Sequence, residues 1–279
     1  MDYRALQLRI GLTAVSSRYF YFAVCSLVLS LLLLSPDTGL ARVWPVIKAG
    51  PPIVKHFRAL PENEIAELAR LARQVNGTKK VGQVLAVRQL PNEVLEDTYL
   101  RIVLAQGRVK RREAETMHRR LQGTEGFRTT LRKVIGNNAA KSNGHLHELR
   151  LASESSAHGF KVRGINVRFK DPWKRGLTDI DVLLERQGTL IAVESKHYSQ
   201  GGSLPLDTFR ADMKSLSEFA TQQQLQGRHV LKVFALTNRP ANQRILQTLR
   251  NDASKEGVFL VFGNPGQQLH QITSRLDLL

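Results

Sequence analysis

The chain has 279 residues, with 41 Lys and Arg against 24 Asp and Glu, a formal net charge of +17. Its 42% hydrophobic content is ample for a packed core and excludes wholesale disorder. A single cysteine excludes an intrachain disulfide and a four-cysteine zinc site, while the positive excess points to a polyanionic partner, either nucleic acid or an anionic membrane surface.

The first segment with a distinct character is residues 19–34, YFYFAVCSLVLSLLLL, which carries no charge. As a helix it would reach about 24 Å, somewhat short of a hydrocarbon core of ~30 Å. Arg4, Arg9 and Arg18 precede it, Pro36 follows, and Gly39 and Ala41 place small residues before a cleavage point after Ala41. Residues 1–41 are therefore expected to be either a secretory signal peptide or an uncleaved anchor that meets the membrane through residues 19–34. The corresponding location is exported or single-pass membrane-anchored. Cys25 lies inside this segment and reads as apolar filler.

Residues 42–138 read as a linker and a helical accessory region. Pro45, Gly50, Pro51 and Pro52 exclude regular structure in the linker. A first helix opens at Pro61, with acids early, Arg70 and Arg73 late, and Ile65, Leu68, Ala69, Leu71, Ala72 and Val75 at helical period; Asn76-Gly77 ends it. A second runs from Pro91 to about Gln106, buried through Val94, Leu95, Leu100 and Val103. A third covers roughly Val109–Leu121, and a fourth covers Thr124–Ile135. Lys110, Arg111, Arg112, Arg119 and Arg120 on the third are phosphate contacts or a solvated face balanced by Glu113 and Glu115, the second reading being preferred. His118 reads as a surface residue.

Residues 139–279 alternate helix and strand. A helix through His147 and Leu151 leads to FKVRGINVRF, TDIDVLLER and TLIAVESKHY, the last two joined by a tight turn at Gln187-Gly188. Asp207–Gln224 and Asn242–Glu256 read as helices, with strands at HVLKVFALTN and Val258–Phe262. The apolar runs Leu190–Val193 and Val258–Phe262 suit strands covered on both faces. The order predicts an α/β or α+β sheet between helices.

Within this half, Asp181, Glu194 and Lys196 stand out. Strand alternation sends Glu194 and Lys196 to one face and Ser195 to the other, and the short hairpin returns Asp181 to the level of Glu194. Two carboxylates bind a hard divalent cation such as Mg²⁺ or Mn²⁺ through oxygen, and the cation activates water against a phosphodiester. A bare Glu-x-Lys is uninformative, but charges that follow a buried run such as LIAV are costly without a purpose. His145 and His147, two apart on a helix, point away from each other and read as surface or polar-network residues rather than a metal pair.

The segment from Thr178-DIDVLL to Gly188-TLIAVESK resembles the PD-(D/E)xK nuclease superfamily, the restriction-endonuclease-like fold, over roughly Ala139 to Phe262. The resemblance implies a nuclease, on DNA ahead of RNA. Asp181 and Glu194 would bind metal, Lys196 would be the base that positions water, and the Ser195 carbonyl and Glu148 of the first core helix would be further ligands. Proline is missing before Asp181, and Asp179 is a competing carboxylate. His197 and Tyr198 would line the phosphate path or simply pack, and Lys214 would contact phosphate. An export segment before such a domain is also similar to bacterial polymorphic toxins, which implies an immunity protein as partner. The competing reading is an inactive, membrane-anchored nucleic-acid-binding protein. Removing residues 1–41 takes away three arginines and two aspartates, so the leader does not explain the basicity.

Overall fold

The computed structural model describes residues 53, 59–136, 138–172, 176–198 and 204–278. Residues 1–41, expected to be a leader, residues 42–52, expected to be a linker, and the single cysteine lie outside them. Val46–Leu279 forms one compact unit.

Six helices come first. α1 (Glu62–Ala72) follows Pro61, carries Glu62 and Glu64 in its first turn and Arg70 in its last, and buries Ile65, Leu68, Ala69 and Ala72. These are the placements that the helix dipole and a 3.6-residue period favour. α2 (Gly77–Val87) was not anticipated from the sequence. Its glycines and lysines hide a stripe of only Val81 and Leu85, and its cap residue Asn76 is left-handed, with φ 57°. α3 (Asn92–Ala105) is buried almost all round, from Glu96 through Ala105, rather than along one stripe. α4 (Arg111–Leu121) buries Ala114, Met117, His118 and Leu121. α5 (Phe127–Gly136) and α6 (Ala139–Ala157) follow, the latter capped by the Asn138 side chain accepting from Lys141 N.

His118 is thus buried, not a surface residue. It sits beside Met117 on the apolar stripe, and burial lowers its pKa. The basic face of α4 is a balanced one: Arg111 pairs with Glu115 at 2.6 Å, and Glu113 pairs with Arg150 of α6 at 2.7 Å.

The sheet has five strands in sequence order: β1 (Lys161–Lys170), β2 (Leu177–Arg186), β3 (Thr189–Lys196), β4 (His229–Leu236) and β5 (Phe259–Phe262). β1, β2 and β3 are antiparallel neighbours, whereas β3, β4 and β5 run parallel through α7 (Leu206–Gln224) and α8 (Gln243–Lys255). A last helix, α9 (Pro265–Leu276), was not anticipated. Its start carries a full capping box between Asn264 and Gln267. The chain is therefore an α+β fold, a mixed sheet flanked by helices and preceded by a helical region. Among the described residues no helix is long and apolar enough to cross a membrane.

Alternation on β3 separates two apolar clusters. Ile191 and Val193 join Ile165 and Val182 and continue into Ile65, Leu85, Leu100, Met117 and Leu131 of the helical region, so one core serves both. Leu190 and Ala192 face the other way, onto Phe209, Met213 and Leu216 of α7 and Leu249 of α8. β5 is an edge strand and only Val261 is fully buried within it, so it is covered less completely than its apolar sequence suggests.

Candidate active site

The β2–β3 hairpin sets the site. Gln187 and Gly188 are both left-handed, with φ 52° and 80°, the backbone of a two-residue turn whose twist matches the strands it joins. Glycine takes this conformation freely, whereas Gln187 bears a modest cost. From the turn the strands pair Arg186↔Thr189 through Val182↔Val193 and then stop. β3 continues beside β4 as far as Lys196↔Leu236. Asp181 and Glu194, the next pair in the same register, lie where β2 and β3 part.

The gap is filled by a side chain. Asp181 Oδ2 accepts a hydrogen bond from Ser195 N at 2.8 Å. On the α7 side, the Lys196 ammonium donates to Glu194 Oε1, and it lies 3.1 Å from Asp212 Oδ2 of α7. Burial raises the Asp181 pKa well above the usual carboxylate range, and the charges of Glu194 and Glu148 push the same way. Glu194 is pushed up to about 7 by burial, with Lys196 pulling it down and Asp212 pushing it up. For Lys196 burial works to lower the pKa, but Glu194, Asp181 and Asp212 outweigh it and the net shift is upward. Lys196 is an ammonium in this setting.

A second layer forms around Asn166 of β1. This residue is left-handed, φ 53°, inside a strand, and the β1–β2 pairing skips it between Ile165↔Val182 and Val167↔Ile180. Its Nδ2 donates to Glu148 Oε2 at 2.8 Å and Thr130 Oγ1 at 3.0 Å, while its Oδ1 accepts from Lys133. Lys133 also reaches Asp179 Oδ2 at 3.4 Å. Apolar neighbours change sides at this point: Ile165 and Val182 face the helical core, whereas Val167 and Ile180 face α7.

The sequence candidates therefore divide. Asp181, Glu194 and Lys196 are gathered at the parting of β2 and β3, with Ser195 joined to them through its amide. Asp179 is turned to Lys133. Glu148 is near enough to raise the Asp181 pKa, and each of its oxygens has one partner, His145 Nδ1 at 2.9 Å and Asn166 Nδ2 at 2.8 Å, which leaves acceptor capacity on both. His147 is buried against Gln268 at 3.2 Å, with its ring centroid 5.9 Å from that of the exposed His197; the two histidines of the helix thus serve different partners. Tyr198 is fixed by backbone bonds with Thr237 Oγ1 and Asn238 Nδ2, and Lys214 is exposed on α7. The glycine pair Gly201-Gly202 lies outside the described residues.

Sequence reasoning missed two residues. Asp212 adjoins the buried Met213 and follows Phe209 by three positions, so an acid at the margin of a helix's apolar stripe was the available signal. Asn166 is a poor strand former in the middle of β1.

Three acids, Asp181, Glu194 and Asp212, face one ammonium, and the two on the strands hold protons more tightly than free carboxyls do. Asp181 and Glu194 are oxygen donors of the kind a hard cation takes. Among the described residues no group of three or more His, Cys, Asp or Glu side chains is placed to hold a metal ion. Mg²⁺ does not need one, because it keeps several waters and takes one or two carboxylates. Next to this cluster, beyond the Thr237 N to Lys196 O bond of 3.2 Å, a cleft of about 870 Å³ opens at the carboxyl ends of β4 and β5. It is lined by Asn238, Arg239, Gly263 and His270 among others, and by none of the three gathered residues.

No family model matches the sequence. No curated protein matches it either. Among solved structures the chain is similar to Can2 from Sulfobacillus thermosulfidooxidans, in complex with cyclic tetra-adenylate, at 16% identity and a TM-score of 0.35. That similarity covers 77% of this chain and 56% of the other, so the chain spans little more than half the length of that protein.

Proposed function

We propose that the protein is a nuclease that hydrolyses phosphodiester bonds of nucleic acid with Mg²⁺ or Mn²⁺. The observation that carries this reading is the meeting of Asp181, Glu194 and Lys196 at the parting of β2 and β3, with both carboxyls raised in pKa by burial. Asp181 and Glu194 would hold the cation, with the Ser195 carbonyl and Glu148 as further oxygen donors. Bound there, the cation supplies a Lewis acid that eases ionisation of water and offsets charge on the phosphate. Lys196 acts as a donor, not a base: its ammonium orients the attacking water and faces the scissile phosphate with positive charge. Asn166 keeps Glu148 directed, and the Ser195 amide fixes the Asp181 carboxylate. The +17 charge draws a phosphate backbone toward the surface.

DNA is proposed as the substrate ahead of RNA. The leader supports a further reading as an exported toxin, kept harmless in the producing cell by an immunity protein, with the membrane met through residues 19–34. The test is cleavage of plasmid DNA and of RNA by the full chain with Mg²⁺ or Mn²⁺, and with chelator. Cutting that requires metal and disappears in Glu194→Ala and Lys196→Ala is the expected result. Cutting that survives both substitutions sinks the assignment. Binding without cutting under several metals moves the protein to the class of inactive nucleic-acid-binding proteins.

A further inference from the structure

Of the three acids around it, Lys196 is in ion-pair contact with two, on two different elements. Glu194 shares its strand, and Asp212 arrives from α7 at 3.1 Å. The side chains are largely enclosed, with relative exposures of 25% for Lys196, 8% for Glu194 and 18% for Asp212. Asp212 Oδ2 is buried and, apart from this ion pair, has no partner among the described residues. The arrangement poses a conflict. An ammonium bonded to Glu194 occupies an oxygen that a divalent cation would need, yet the same ammonium, once displaced, would sit enclosed beside a dication. A like-charge contact of that kind is unfavourable unless another acid receives it. Asp212 is positioned to do so without any movement of backbone, because Lys196 already touches it and needs only to shift along its flexible four-carbon stem.

We propose that Asp212 is a positioning residue that takes over the Lys196 ammonium when a divalent cation occupies Glu194, which frees the Glu194 oxygens and leaves Lys196 charged beside the cation. This rests on the metal-dependent reading of the site. A plain negative charge near a metal would also favour the cation, so the discriminating quantity is coupling between Asp212 and Lys196 rather than the effect of Asp212 alone.

The experiment measures Mn²⁺ binding directly, by calorimetry or by the spin signal of free Mn²⁺, on the full chain and on Asp212→Asn, Asp212→Glu, Lys196→Met and the double variant Asp212→Asn with Lys196→Met, each checked for folding by circular dichroism. Asp212→Asn is expected to weaken Mn²⁺ binding by about tenfold where Lys196 is present and by less than about twofold where it is methionine, a coupling of the size neighbouring charges commonly show. Asp212→Glu should recover most of the loss. Equal weakening in both backgrounds would show that Asp212 acts as a ligand or a bare charge and overturns the proposal, as does no weakening in either. If the unaltered chain binds no Mn²⁺, the metal reading itself falls, and this proposal falls with it.

Discussion

The carboxylate of Asp181 receives the amide of Ser195 at 2.8 Å at the point where β2 ceases to pair with β3. One side chain thus does two tasks, ending a ladder and presenting a charge. The tasks separate by substitution. Asp181→Asn keeps an oxygen for the Ser195 amide and loses the charge, so it should fold with little change while cleavage falls by about 100-fold or more, the scale of a lost electrostatic contact in catalysis. Asp181→Ala should lose activity equally and in addition about 1–3 kcal/mol of stability, because a buried amide is left without an acceptor. Urea unfolding beside a cleavage assay reads both. Identical stabilities for the two variants would contradict the structural half.

The raised pKa of Glu194 fixes the sign of a pH effect. Folding lifts this carboxyl from an ordinary 4.5 to about 7, so the folded chain holds a proton that the unfolded chain releases. Its contribution to stability is fully present below pH 4.5 and is lost as pH rises through 7. In chelator, the melting temperature of the unaltered chain relative to Glu194→Gln should therefore fall between pH 4.5 and 7 and level off above. Mg²⁺ or Mn²⁺ should raise it more at pH 8 than at pH 6, because Glu194 has lost its proton above 7. Parallel curves for the two proteins would refute this.

Asn166 carries a backbone and a side-chain role that two variants tell apart. Asn166→Gly accepts the left-handed φ of 53° but drops the bonds to Glu148, Thr130 and Lys133. Asn166→Val drops them too and adds a steric cost of about 1–2 kcal/mol. Thermal stability should run from the native chain through glycine to valine. Activity should already be reduced in the glycine variant, since Glu148 loses its orienting donor; full activity there would remove Asn166 from the site.

Away from the site, Asp97 and Arg101 of α3 form a fully enclosed ion pair at 3.6 Å. Asp97 Oδ1 also accepts from Ile53 N at 2.7 Å, and Arg101 donates to Leu60 O at 2.6 Å, so the pair fastens the chain that enters α1. Asp97→Ala should cost about 3–5 kcal/mol, because an arginine is left buried without its counter-charge. A loss under 1 kcal/mol in chemical denaturation would show the pair to be dispensable.

Much of the β architecture was legible because strand signals are local: alternating or continuous apolar runs, and a Gln-Gly turn between two of them. The meeting of Asp181 with Glu194 follows from counting outward from that turn. Helix α2 was hidden because glycine and lysine dilute its stripe to Val81 and Leu85, and only the neighbouring helices make it worth forming. Helix α9 could have been read from Asn264, Pro265 and Gln267, whose spacing is that of a capping box. His118 was misplaced because its charge-bearing type outweighed its position next to Met117. Asp212 and Asn166 reach the site through tertiary packing, which pairwise spacing along one chain does not encode.

The Gln187-Gly188 turn has a reach that its size conceals. Asp181 and Glu194 stand the same number of residues from it on either strand, about 20 Å away at ~3.3 Å per residue. A single residue added to either strand between the turn and the acids, with the two-residue turn kept, would slide one strand against the other and exchange its inward and outward faces. The acid that now meets Glu194 would be carried to the opposite surface of the sheet with every site residue still present in the sequence. The turn is therefore a gauge block for chemistry it never touches, and the strand lengths that separate it from the two acids should tolerate change as poorly as the carboxylates themselves.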